Sequence, residues 1–126
     1  DQIGQTPLHL SCQNGHTRVV QLLLHKGAQF TKTYDGNNPL HEAAANGHLS
    51  TMSTILQAHA HLINSTNRLG MTPLHCAASA GHVECVDMLL SKSAEFLNDH
   101  NGDTFFDLAI HKKQKDVCLT IIAHDR

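Results

Sequence analysis

Twelve histidines and four cysteines are the side chains of this 126-residue chain with most scope for chemistry, as metal ligands, acid–base groups or nucleophiles. Their spacing gives little of it. His59 and His61 are close in sequence, but no Cys or acid stands beside them at the interval a zinc site needs. The cysteines at 12, 76, 85 and 118 form no CxxC pair. No Ser or Cys occupies a nucleophile turn, no glycine-rich loop is set to cradle phosphate, and Glu42, Glu84 and Glu95 are scattered. We therefore expect no catalysis, no cofactor and no metal. His111, Lys112, Lys113 and Lys115 form the one dense basic cluster, a candidate for polyanion binding against the plainer reading of a solvated tip. A formal net charge of -2 gives no overall pull toward nucleic acid or anionic lipid. No apolar run approaches the ~20 residues that cross a bilayer, so no direct membrane insertion by this segment is expected. Free thiols without a leader sequence point to a reducing, intracellular location.

The histidines make sense once the chain is read for self-similarity. Thr6-Pro7-Leu8-His9 returns as Asn38-Pro39-Leu40-His41 and Thr72-Pro73-Leu74-His75, then in altered form as Thr104-Phe105-Phe106-Asp107. Gly15-His16, Gly47-His48 and Gly81-His82 follow in phase, with Lys113-Gln114 in the fourth copy. A glycine precedes each copy, at 4, 36, 70 and 102. The Thr or Asn is a helix N-cap, and the Pro fits the first helical position, where its missing N–H costs nothing. The later Gly closes the helix at positive φ. The first helix then carries small residues: Ser11-Cys12, Ala43-Ala44, Ala77-Ala78, and Ala109-Ile110 in the last copy. The second carries bulk at i, i+3 and i+4, as in Val20, Leu23 and Leu24 or Val86, Leu89 and Leu90. One such pair cannot bury its stripe alone, so the pairs must stack. The expectation is an all-α solenoid of about four helix–turn–helix repeats, near 4–35, 36–69, 70–101 and 102–126. First helices should start near Thr6, Asn38, Thr72 and Thr104. Repeat one shows no polar replacement where an upstream repeat would dock, which points to a fragment of a longer array.

The T-P-L-H, G-H and L-L pattern resembles the ankyrin repeat over essentially the whole chain, with Thr72-Pro73-Leu74-His75-Cys76-Ala77 a full match to the signature. Two departures stand out: a connection two residues longer through His59-Ala60-His61-Leu62-Ile63-Asn64, and a fourth copy without its Pro, His and Gly. The final segment, Phe96 to Gly102 and Leu108 to Ile122, resembles the last ankyrin repeats of transient receptor potential ankyrin (TRPA-type) channels. That resemblance implies a cytoplasmic segment, soluble in itself, of a tetrameric, non-selective, calcium-permeable cation channel of the plasma membrane. It also implies temperature or chemical sensing and an elastic or allosteric role for the array. The alternative is an adaptor that binds a protein ligand.

In ankyrin arrays the turn tips and the first-helix face form a concave groove. The corresponding tip residues here are Tyr34, Asp35, Asn37, Arg68, Leu69, Met71, His100, Asn101 and Asp103. The groove residues are Leu10, Gln13, Glu42, Ala45, Cys76 and Ser79. Tyr34, Leu69 and Met71 stand where loops are usually polar, which marks contact surface; the alternative for Leu69 and Met71 is that they pack on the longer loop before them. Cys76 aligns with Leu10, Glu42 and Leu108. A position that accepts Glu is expected to be open, which makes Cys76 the thiol-reactive candidate, with Cys12, Cys85 and Cys118 packed.

Overall fold

The computed structural model describes residues 7–27, 36–92, 94, 97–111 and 114–124, apart from the side chains of Phe105, His111, Ala123 and His124. Eight helices occur among these residues and no strand: α1 (Pro7–Gln13), α2 (Thr17–His25), α3 (Pro39–Ala45), α4 (Leu49–Ala58), α5 (Pro73–Ala80), α6 (Val83–Ser91), α7 (Phe105–His111) and α8 (Lys115–His124). The expected helix phase holds in each repeat, while Gly4 and the Thr6 cap lie outside the described residues.

Local chemistry fixes the starts. Asn38 accepts the His41 N–H at 3.0 Å and its own N–H reaches His41 Nδ1 at 3.1 Å, a reciprocal capping box. Thr72 and His75 repeat it at α5. The fourth repeat keeps the device with other atoms. Asp107 Oδ2 accepts the Thr104 N–H at 3.0 Å, and Thr104 Oγ1 accepts the Asp107 N–H at 3.3 Å. A carboxylate thus serves where an imidazole serves elsewhere; such caps are worth about 1 kcal/mol each. Gly81 closes α5 at φ +83°, a left-handed conformation costly for a side chain with a Cβ.

Helices α1, α3, α5 and α7 pack side by side in one layer, and α2, α4, α6 and α8 in a second. Cys12, Ala43, Ala44, Ala77, Ala78 and Ala109 have no exposure, which lets first helices approach closely. Leu8, Leu40, Met52, Ile55, Leu74, Val86 and Leu89 fill the space between the layers. Each buried Leu, Ile or Val is worth about 1.5–3 kcal/mol over an exposed one. The longer second connection forms a 3-10 turn, Ala60–Asn64, whose Leu62 and Ile63 pack half-buried on the core. The additional residues therefore add to the core.

Candidate functional site

The tips between repeats are built on acceptor side chains. Asn67 Oδ1 accepts the N–H groups of Leu69 and Met71 at 2.9 and 3.0 Å, while its own N–H reaches the Met71 carbonyl at 3.0 Å. Asp99 Oδ1 does the same for Asn101 and Asp103, both at 2.9 Å. Successive tips are joined: the His100 N–H donates to the Leu69 carbonyl at 2.8 Å, and Asn67 Nδ2 donates to Asn37 Oδ1 at 2.9 Å. Gly70 faces this junction, and a Cβ there would lie 2.8 Å from His100 N.

The T-P-L-H histidines tie tips to helices. Nε2 of His9, His41 and His75 donates to the carbonyls of Asn37, Met71 and Asp103 at 3.2, 2.9 and 3.0 Å. For His41 and His75, Nδ1 accepts a backbone N–H, so both rings carry their proton on Nε2.

A second set of links escaped sequence reasoning. His48 Nε2 donates to the Gln13 carbonyl at 2.9 Å and His82 Nε2 to the Ala45 carbonyl at 3.1 Å. In repeat four Gln114 Nε2 reaches the Ser79 carbonyl at 3.1 Å, an amide in the role of an imidazole. These clasps bind the start of each second helix to the end of the preceding repeat's first helix. The substitution of Gln for His in phase was the available signal.

The expected groove residues occupy equivalent places on successive first helices. Leu10 is 42% exposed, Ala45 is exposed, and Gln13, Cys76 and Ser79 are half-buried. At the tips Arg68, His100 and Asn101 are exposed, Leu69 is 61% exposed, and Asn37, Met71 and Asp103 are half-buried. Leu69 is thus largely open to solvent, whereas Met71 beside it is partly covered. Tyr34, Asp35, Lys112 and Lys113, and the His111 side chain, lie outside the described residues, which leaves exposed Lys115 of the basic cluster.

Two expectations change. Glu42 is buried, at 9% exposure, so its place in the row is not open. The Cys76 thiol keeps partial access, but burial first and the Glu42 carboxylate second push it up to about 12, as they do Cys12. Access without thiolate makes a poor nucleophile. Cys118, expected to be packed, is half-buried on the last helix pair, where it borders a shallow pocket with Ala109, Ile110, Gln114 and Lys115. Cys12 and Cys85 are buried, and burial with Glu84 raises Cys85 to about 11. The rings of His59 and His61 meet edge to face, centroids 5.7 Å apart. Among the described residues no three His, Cys, Asp or Glu side chains are grouped to hold a metal ion, and no helix is long and apolar enough to cross a membrane.

Comparison with known proteins agrees with this architecture. The family described as ankyrin repeats in many copies matches residues 40–90, and the single ankyrin repeat matches residues 3–33. The chain is similar over its whole length to the human transient receptor potential cation channel subfamily A member 1, at 46% identity over 134 aligned residues. It is 35% identical to the protein of the same title from Drosophila melanogaster, over 99% of its length. It spans about a tenth of the length of these relatives, 11% and 10%.

Proposed function

The chain belongs to the ankyrin-repeat family, and from that premise we propose that it is a segment of the cytoplasmic ankyrin array of a TRPA-type, calcium-permeable, non-selective cation channel of the plasma membrane. The observation that carries this reading is the 46% identity that runs through all of the chain, irregular fourth repeat included. Within such a channel the segment is an interaction and elastic module, without a reaction of its own, in a protein that senses temperature or chemicals. The main contacts link helices of one repeat or of successive repeats, so a strain applied to one pair reaches the next through tips and clasps. The apolar ends, with Leu10, Val19 and Leu22 exposed on repeat one, suit a piece of a longer array. The test is a chimera in which this chain replaces the aligned segment of the human relative. We expect surface expression, tetramer formation and calcium entry. A chimera that reaches the surface as a tetramer but passes no calcium contradicts the reading.

One feature favours the adaptor alternative: Leu69, beside exposed Arg68 and His100, presents an apolar side chain on a polar tip. In that reading the tip and groove residues hold a protein ligand, and Leu69→Glu abolishes capture of that ligand without loss of helix content.

A further inference from the structure

The seams between successive repeats are not alike. In the first-helix layer α3 and α5 lie as close as α5 and α7, and Ala43, Ala44, Ala77 and Ala78 have no exposure. In the second-helix layer the same seam is the loosest. Helices α4 and α6 run close over less of their length than α2 and α4 or α6 and α8. At the first seam Thr17 Oγ1 and Thr51 Oγ1 share a hydrogen bond of 2.8 Å between second helices, while Leu49 and Cys85 hold those places at the second. Repeats two and three each have a neighbour on both sides, so the difference does not come from an uncovered end.

Other features gather at this seam. The 3-10 turn Ala60–Asn64 lies against α4 and α5, with Leu62 and Ile63 half-buried on the core. The three methionines of the chain all belong to repeats two and three or the tip between them. Met52 is buried in α4, Met71 is half-buried at the tip, and Met88 is half-buried in α6. Methionine is unbranched and turns about three bonds, so it fills a gap of changing width. At the start of α6 a cleft of about 260 Å³ is bordered by Gly47 of repeat two and by Gly81, His82, Val83, Glu84 and Cys85 of repeat three. The His82 clasp across this seam is exposed to water, whereas the His48 and Gln114 clasps are partly buried.

We propose that the seam between repeats two and three is a hinge. The close-packed alanine faces of α3 and α5 form its axis, held at the tip by the bond from His41 Nε2 to the Met71 carbonyl. Helices α4 and α6 part and close about that axis while the methionines repack, and the 3-10 turn is the strap that limits the opening. Repeats one and two move as one rigid body and repeats three and four as the other, because well-packed interiors resist gradual deformation. The inference refines the elastic reading of the array and rests on it only for its use: strain is taken up at one seam, not shared by all. Equal compliance at every seam would leave the array elastic and remove the hinge alone.

Residual dipolar couplings of the backbone amides, measured on the native chain weakly aligned in a dilute bicelle medium, test it. Helices α1 to α4 fit one alignment tensor and α5 to α8 another, and the two differ in magnitude, as they do when rigid halves move against each other. One tensor for all the helices overturns the proposal. So do two tensors of equal magnitude, which mean a fixed bend, and a break at the first or third seam, which means that an end repeat frays. A second measurement tests the strap. In the Leu62→Ala, Ile63→Ala variant, with helix content unchanged, the less ordered half loses further alignment relative to the other. A ratio equal to that of the native chain overturns the turn's part in the hinge. The first measurement needs no substitution, so it decides the proposal even where the variant fails to fold.

Discussion

A few single residues decide how this chain behaves chemically. Glu42 is the sharpest case. Alignment with Leu10 and Cys76 suggested an open position, because an unpaired buried carboxylate is expensive; the fold nevertheless encloses it. Sequence shows a charge but not the surface around it; Cys76, in the same row, keeps the partial access expected of it, while Cys12 and Cys85 are buried. Burial first and the Glu42 carboxylate second push the Cys76 thiol up to about 12. Removing the charge favours the thiolate. Glu42→Gln is therefore expected to speed maleimide alkylation of Cys76 at pH 8 several-fold, while Cys85, which responds to Glu84, keeps its rate as the control for folding. An unchanged Cys76 rate means that burial alone sets the reactivity. Because the folded thiols sit above the unfolded value, their contribution to stability is complete below pH 9 and is lost as pH rises toward 12. Asn38 makes a second residue-scale case. Its Oδ1 caps α3, but its Nδ2 is buried with no hydrogen-bond partner. Thr caps the equivalent helices without that second donor. Asn38→Thr is expected to raise stability to urea by about 1 kcal/mol; a loss of stability would show that Nδ2 is satisfied in solution.

At the scale of the element, sequence was most informative where physical chemistry is local. N-caps, Pro at the first position and glycine closures set helix starts and stops from neighbouring residues alone, and the helices appear in the expected phase. The clasps were not legible, since a ring nitrogen of His82 finding the Ala45 carbonyl depends on how two repeats lie together. Gly47 shows the consequence. It is required both by its φ of +74° and by the His82 ring, which a Cβ would meet at 2.7 Å. Gly47→Ala should therefore destabilise the chain by more than the ~1 kcal/mol that left-handed backbone costs an ordinary residue. Part of the excess should vanish in a His82→Ala background, because the obstructed ring is gone. Additive effects in this double-mutant cycle would show that backbone strain is the whole cost.

For the whole molecule, the repeat pattern implied stacking before any coordinate did, because no single helix pair has enough apolar surface to bury on its own. What the pattern could not give is how unevenly burial is shared. Leu40, Ala43, Ala44, Met52 and Ile55 of repeat two, and Leu74, Ala77, Ala78, Val86 and Leu89 of repeat three, are closed on both sides and have no exposure. Repeat one leaves Leu10, Val19 and Leu22 open, and repeat four leaves Ile110, Leu119 and Ile122 open. In a one-dimensional stack, stability is a sum of weak intrinsic terms and strong neighbour terms, and an end repeat has one neighbour where an inner repeat has two. Local opening should therefore begin at both ends and reach the middle last. Hydrogen exchange of the folded chain is expected to protect amides of α3 to α6 at least tenfold more than those of α1, α2, α7 and α8, a difference of about 1.4 kcal/mol. The two ends should also differ in response. Strengthening the clasp between repeats three and four, by Gln114→His, should raise protection in α7 and α8 and leave α1 and α2 as they were. Uniform protection across all eight helices would mean that the chain unfolds as one cooperative block and that its repeats are not the units through which strain travels.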